Sequence, residues 1–213
     1  MNNKIPIFPL SNVIFFPGTD LPLNIFEKKY VEMIDHSLKK ERLIGIVQPK
    51  IKKDFNLSDS IKDLYSIGCV GKISSFSETE DKRYLINLKG ISKFKILEEV
   101  KNEYLFREFK VQYIDSDIQN ISKEKLKIEL MKSELEIGKL KIFLKKKGLS
   151  LNWKEIDNLD FENIINAICM IVPISISEKQ TLLETENILK RFEMLKNIIS
   201  FDLLDEFENK TIQ

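Results

Sequence analysis

Histidine occurs once and cysteine twice in the 213 residues. A structural zinc site takes four Cys or His ligands, so His36, Cys69 and Cys169 cannot supply one. No cofactor or metal is expected. Cys69 and Cys169 lie far apart in apolar runs and read as buried reduced thiols. Charge of one sign is also lacking. The 34 basic and 33 acidic side chains leave a formal +1, which gives no whole-molecule field to draw in nucleic acid or an anionic membrane. No apolar stretch approaches the roughly 20 residues needed to cross a bilayer, and the opening Met1-Asn2-Asn3-Lys4 has no apolar signal region. A cytoplasmic protein with no membrane contact is expected. Missing too is a Gly-x4-Gly-Lys-Ser/Thr loop: Gly71-Lys72 reads as strand and Gly138-Lys139 as helix interior.

What is present is a 43% hydrophobic composition, enough to bury a core. Four of the six prolines, Pro6, Pro9, Pro17 and Pro22, fall within the first 22 residues. Proline fixes φ and removes a donor, so this apolar stretch reads as an extended, repeatedly bent ribbon. From Ile5 to about Asp115 the period is mostly two. Strands are expected at Leu43–Val47, at Gly68–Phe76 with a bulge or close approach at Gly68 and Gly71, as an adjacent pair on either side of Gly90, and at Phe109–Tyr113. One helix over Glu27–Lys40 interrupts them, because Tyr30, Val31, Ile34 and Leu38 fall at helical spacing. Ile51–Lys62 reads as a loop.

Near Ser116 the texture changes to helical periodicity. Leu126, Leu130, Ile137, Leu140 and Leu144 form one stripe, and Lys145-Lys146-Lys147-Gly148 has the cations and the glycine of a helix C-terminus. Helices are expected from about Asn152, Asp160, Ser177 and Thr185, with capping-box spacing at Asn152/Glu155 and Ser177/Gln180. The expected fold is α+β, with residues 1–116 a β subdomain and 117–213 a helical bundle.

Four segments, in order, resemble one known family. The opening Ile5-Pro6-Ile7-Phe8-Pro9-Leu10, Phe16-Pro17-Gly18 and Pro22-Leu23-Asn24-Ile25-Phe26-Glu27 before Tyr30 is similar to the start of the Lon N-terminal domain, the substrate-binding part of Lon proteases. Ile67-Gly68-Cys69-Val70-Gly71-Lys72-Ile73, then Asp81-Lys82-Arg83-Tyr84 with Gly90 and Phe94, then Glu178-Lys179-Gln180 with Leu182-Leu183-Glu184, resemble its later motifs. Asn24, Lys28, Lys29, Lys82 and Lys93 depart from the pattern. The resemblance implies a PUA-like β pseudo-barrel followed by a helical bundle, as a stand-alone copy without ATPase or peptidase domains. It further implies a non-catalytic module that binds exposed apolar or unfolded polypeptide segments.

Phe16, Leu21, Leu23, Phe26 and Tyr30, in the most apolar matching motif, are the candidate polypeptide contacts, although Phe15, Phe16 and Phe26 read first as core. Glu27 reads as a helix-start carboxylate able to meet Arg83 or Lys29. His36, on the polar side of its helix, reads as a surface histidine without the nucleophile and orienting partner that catalysis requires. Glu78–Asp81 reads as a solvated hairpin loop. Lys82-Arg83-Tyr84 and Lys93-Phe94-Lys95 raise an RNA-binding alternative, since lysines meet phosphates and rings stack on bases. A third reading is an adaptor or self-associating protein that delivers clients to a separate protease.

Overall fold

The computed structural model describes residues 3–50, 63–114, 138–149 and 160–211, the last of these by backbone alone over 203–211. The expectations for 51–62, for Leu126, Leu130 and Ile137, and for a helix at Asn152 lie outside the described residues. The chain divides into two compact units, Met1–Asp115 and Ser116–Gln213.

The first unit contains β1 (Lys4–Pro9), β2 (Asp20–Ile25), α1 (Lys28–Leu38), β3 (Leu43–Val47), β4 (Ile67–Glu78), β5 (Tyr84–Val100) and β6 (Arg107–Ile114). Five of its strands close into a ring, β1–β3–β4–β5–β6 and back to β1, in which β1 and β3 are parallel and the other pairs antiparallel. Closure gives each of these five strands a neighbour on both sides and leaves β2 as the edge strand. Its interior is filled by Ile5, Ile7, Val70, Phe94, Phe109 and Val111.

Proline in β1 is tolerated because the two ladders are staggered: residues 4–7 pair with β6, while pairing with β3 covers only Ile7–Pro9. Pro17 and Gly18, at φ 75°, form the centre of a tight turn closed by Thr19 N–H donating to Phe16 O at 3.4 Å, the arrangement that favours proline followed by glycine. Pro22 sits in β2, which hangs on one side of β5 at the end of the strand order, where a missing N–H is least costly.

Residues 84–100 are not two strands parted at Gly90 but one 17-residue strand. It pairs with β2 through residues 84–89 and with β6 through 93–100. A Cβ added at Gly90 would overlap the Phe16 carbonyl oxygen. The residue is glycine because the Phe16–Gly18 turn crosses there, with Gly18 N–H donating to Gly90 O at 3.0 Å and Gly90 N–H donating to Thr19 O at 2.9 Å. Register shifts in β4–β5 and β5–β6 leave Ile91, Ser74 and Leu97 as the extra residues. Such bulges bend and twist a ladder, as ring closure demands.

In the second unit the described helices are α2 (residues 138–146), α3 (Phe161–Ile171), α4 (Ile176–Glu184) and α5 (Ile188–Thr211). Gly148, at φ 75°, ends α2, with Leu149 N–H donating to Leu144 O at 2.9 Å, the left-handed cap expected after three lysines. Asp160 caps α3 through Asn163 N–H at 2.9 Å.

The capping box of α4 is Ser175/Glu178, not Ser177/Gln180. Both pairs have the required spacing. Glu178 wins because its charged carboxylate accepts the Ser175 N–H at 2.8 Å more strongly than a neutral amide would. Arg191 of α5 is buried and binds the unit together, donating to Leu182 O at 2.8 Å and to Asn166 Oδ1 at 2.5 Å. Lys179 Nζ caps the end of α3 at Met170 O, 2.6 Å away. Cys69 and Cys169 are both buried and outside any disulfide, and burial pushes the Cys169 thiol up to about 12, so it stays protonated and unreactive.

Candidate functional site

The β2–β5–β4 sheet carries its apolar face in cross-strand rows. Leu21 opposes Leu88, which opposes Ile73, and all three are buried. In the next row Leu23 opposes Ile86, which opposes Phe76. Here only the middle residue is buried: Leu23 is half-buried and Phe76 is 47% exposed. In the last row Ile25 opposes Tyr84, which opposes Glu78.

Helix α1 fastens onto this face. Met33 and Ile34 are fully buried, and the Tyr84 hydroxyl donates to Asp35 Oδ1 at 2.7 Å. The Phe76 ring meets the Tyr84 ring edge-on at 6.4 Å. The bond to Asp35, burial, and the charges of Asp35 and Glu78 push the Tyr84 phenol up to about 12.

The sequence-derived candidates separate cleanly. Phe16 is fully buried and Leu21 nearly so, which corrects the expectation that they meet a ligand: both side chains are spent on the core. Leu23 and Tyr30 are half-buried, and Phe26, between β2 and α1, is 65% exposed. Tyr30 packs against Phe8 at 4.1 Å and lies under Lys29 Nζ at 4.6 Å. Glu27 stands at the N-cap of α1 without a side-chain capping bond and pairs with Lys29 at 3.4 Å, while Arg83 pairs with Asp81 at 2.6 Å.

Phe76 escaped the sequence reading. Its signal was present, a lone aromatic among Ser74, Ser75, Ser77 and Glu78, but the bulge at Ser74 breaks the alternation that would have oriented it.

His36 is not a surface residue. Residues 101–106, between β5 and β6, fold back over α1 and place Tyr104 and Phe106 edge-on to the imidazole, at 4.6 and 5.2 Å. Glu108, itself buried, accepts from Lys4 at 2.9 Å and Asn102 at 3.0 Å, with its other oxygen 3.7 Å from His36 Nε2. That gap is too long for a hydrogen bond. Burial and the nearby Lys40 and Lys4 charges lower the His36 pKa against the pull of Glu108 and Glu32. Burial alone would raise the Glu108 pKa, but the bonds from Lys4 and Asn102 hold it below the ordinary value.

The aromatic rings interleaved with basic residues turn inward. Phe94 is fully buried and Tyr84 nearly so, so neither offers a face for base stacking. Among the described residues no group of three or more His, Cys, Asp or Glu is placed to hold a metal, and no helix is long and apolar enough to cross a membrane.

A small closed barrel with an inserted helix, followed in the chain by a helical unit, defines an α+β protein. The model of the ATP-dependent protease La (LON) substrate-binding domain matches residues 4–200, and the chain belongs to that family. Among curated relatives it is 26% identical over 198 residues to the Lon protease of Anaeromyxobacter dehalogenans, covering 92% of this chain and 23% of that protein. It is 27% identical over 207 residues to the Lon protease of Cytophaga hutchinsonii, covering 93% and 24%. The chain thus spans about a quarter of the length of these relatives. Its fold is shared with the N-terminal domain of a Mycobacterium avium complex Lon protease, with TM-score 0.67, 16% identity, and 92% and 98% of the two chains covered. A Lon N-terminal domain protein from Xanthomonas campestris gives TM-score 0.61 at 16% identity, covering 90% and 96%.

Proposed function

We propose that this protein is a non-catalytic recognition module that reversibly captures exposed apolar or unfolded polypeptide segments in the cytoplasm. Membership of a substrate-binding domain family supports the class of ligand. The observation that carries the reading is the partly exposed apolar row toward the end of the β2–β5–β4 face, Leu23 and Phe76 flanking buried Ile86, together with exposed Phe26 and half-buried Tyr30, which follow β2 in the chain. Large apolar groups left in water at one end of a sheet are what a passing apolar chain can cover, at about 25 cal/mol per Å² of apolar area buried.

Capture needs no covalent step, and affinity is modest because association and ordering costs offset much of the apolar gain. The buried state of Phe94 and Tyr84 counts against the RNA-binding alternative. Binding of a labelled, permanently unfolded polypeptide tests the reading: saturable binding by the native chain that Phe26→Asp abolishes supports it, and no binding refutes it.

A further inference from the structure

Beside Phe76 and Tyr84 the exposed apolar surface meets two carboxylates. Glu78 follows Phe76 by two residues on β4 and opposes Tyr84 across the ladder, and Asp35 of α1 accepts the Tyr84 hydroxyl. Neither carboxylate is ion-paired among the described residues. Lys29 pairs instead with Glu27, and Arg83 with Asp81.

Resting on the polypeptide-capture reading, we infer that this surface selects extended segments in which a large apolar residue is followed or preceded two positions away by Lys or Arg. The spacing follows from strand geometry. Phe76 and Glu78 lie about 7 Å apart on one face of β4, the separation of residues i and i+2 in an extended ligand laid alongside. The apolar ligand residue covers Phe76 and Leu23, while the cation two positions on reaches Glu78 and the oxygen of Asp35 left over by Tyr84. Both charges acting on the Tyr84 phenol, from Asp35 and Glu78, are negative. A segment with Asp or Glu at that position is repelled.

The test uses the full chain and three labelled extended peptides that are identical except for Lys, Ser or Glu two residues from a central Leu-Phe pair. Anisotropy titrations at low salt are expected to rank them Lys, Ser, Glu, with about three- to tenfold between the first and last. The ranking narrows as salt rises. In an Asp35→Asn/Glu78→Gln variant the three affinities converge. The amide oxygen introduced by Asp35→Asn still accepts the Tyr84 hydroxyl, and Glu78→Gln alone, on an exposed side chain, carries the test if the double variant fails to fold. Equal affinities in the native chain, or a ranking that survives in the variant, overturn charge selection while leaving apolar capture standing. Failure of all three peptides to bind overturns both.

Discussion

The Tyr84 hydroxyl donates to Asp35 Oδ1 at 2.7 Å, a bond between residues 49 apart in the chain that fastens helix α1 to the longest strand of the barrel. Tyr84→Phe is expected to cost about 1 kcal/mol of stability, the usual net value of such a bond, with Asp35 left short of its donor. Because the folded phenol is raised to about 12 from an ordinary 10.0, the neutral hydroxyl is the native form. Its stabilisation is complete below pH 10 and is lost as pH rises from there toward 12. Urea titrations at pH 8 and pH 11 check this: Tyr84→Phe narrows the gap between them.

Acid has the opposite edge. His36 is held neutral by a pKa below its ordinary 6.5, so its contribution is complete above pH 6.5 and is lost as pH falls below that value. Glu108, held below 4.5, adds a second loss at still lower pH. Stability therefore declines in two stages on acidification. His36→Gln is expected to remove the first stage only, read as urea midpoints at pH 7.5, 5.5 and 4.

Two phenylalanines ten residues apart give opposite outcomes. Phe16→Ala empties a fully buried site and is expected to cost about 3–5 kcal/mol, enough to threaten the fold. Phe26→Asp changes a 65% exposed side chain and is expected to alter stability by no more than about 0.5 kcal/mol while abolishing polypeptide capture. Thermal melts paired with anisotropy titrations separate the two effects. Unfolding by Phe26→Asp would make it a core residue.

Gly90→Ala forces a methyl group onto the Phe16 carbonyl oxygen, and the blocking atom is backbone rather than a yielding side chain. The variant is expected to lose at least about 2 kcal/mol. An unaltered denaturation midpoint would contradict the crossing of Phe16–Gly18 over β5.

Much of this was written in local pattern. The strand expected at Leu43–Val47 is β3 at its observed limits, and helical spacing of Tyr30, Val31, Ile34 and Leu38 marked α1. What local pattern could not carry was long-range. Gly90 looks like a turn until the Phe16–Gly18 turn is seen to cross it. His36 looks solvated until Tyr104 and Phe106 fold over it. Phe16 and Phe26 are equally apolar as letters, and only the tight turn at Pro17-Gly18 sends the first inward while the second falls just after β2 ends. Phe76 was hidden by a one-residue bulge, which flips the face of every residue beyond it.

The most direct test of polypeptide capture is a titration of the native chain against a labelled, permanently unfolded polypeptide at low and moderate salt, with single-stranded RNA as competitor. Apolar capture predicts saturable binding whose main part survives moderate salt and is not displaced by RNA. Binding that collapses steeply with salt and is displaced by RNA, or no binding at all, would contradict it.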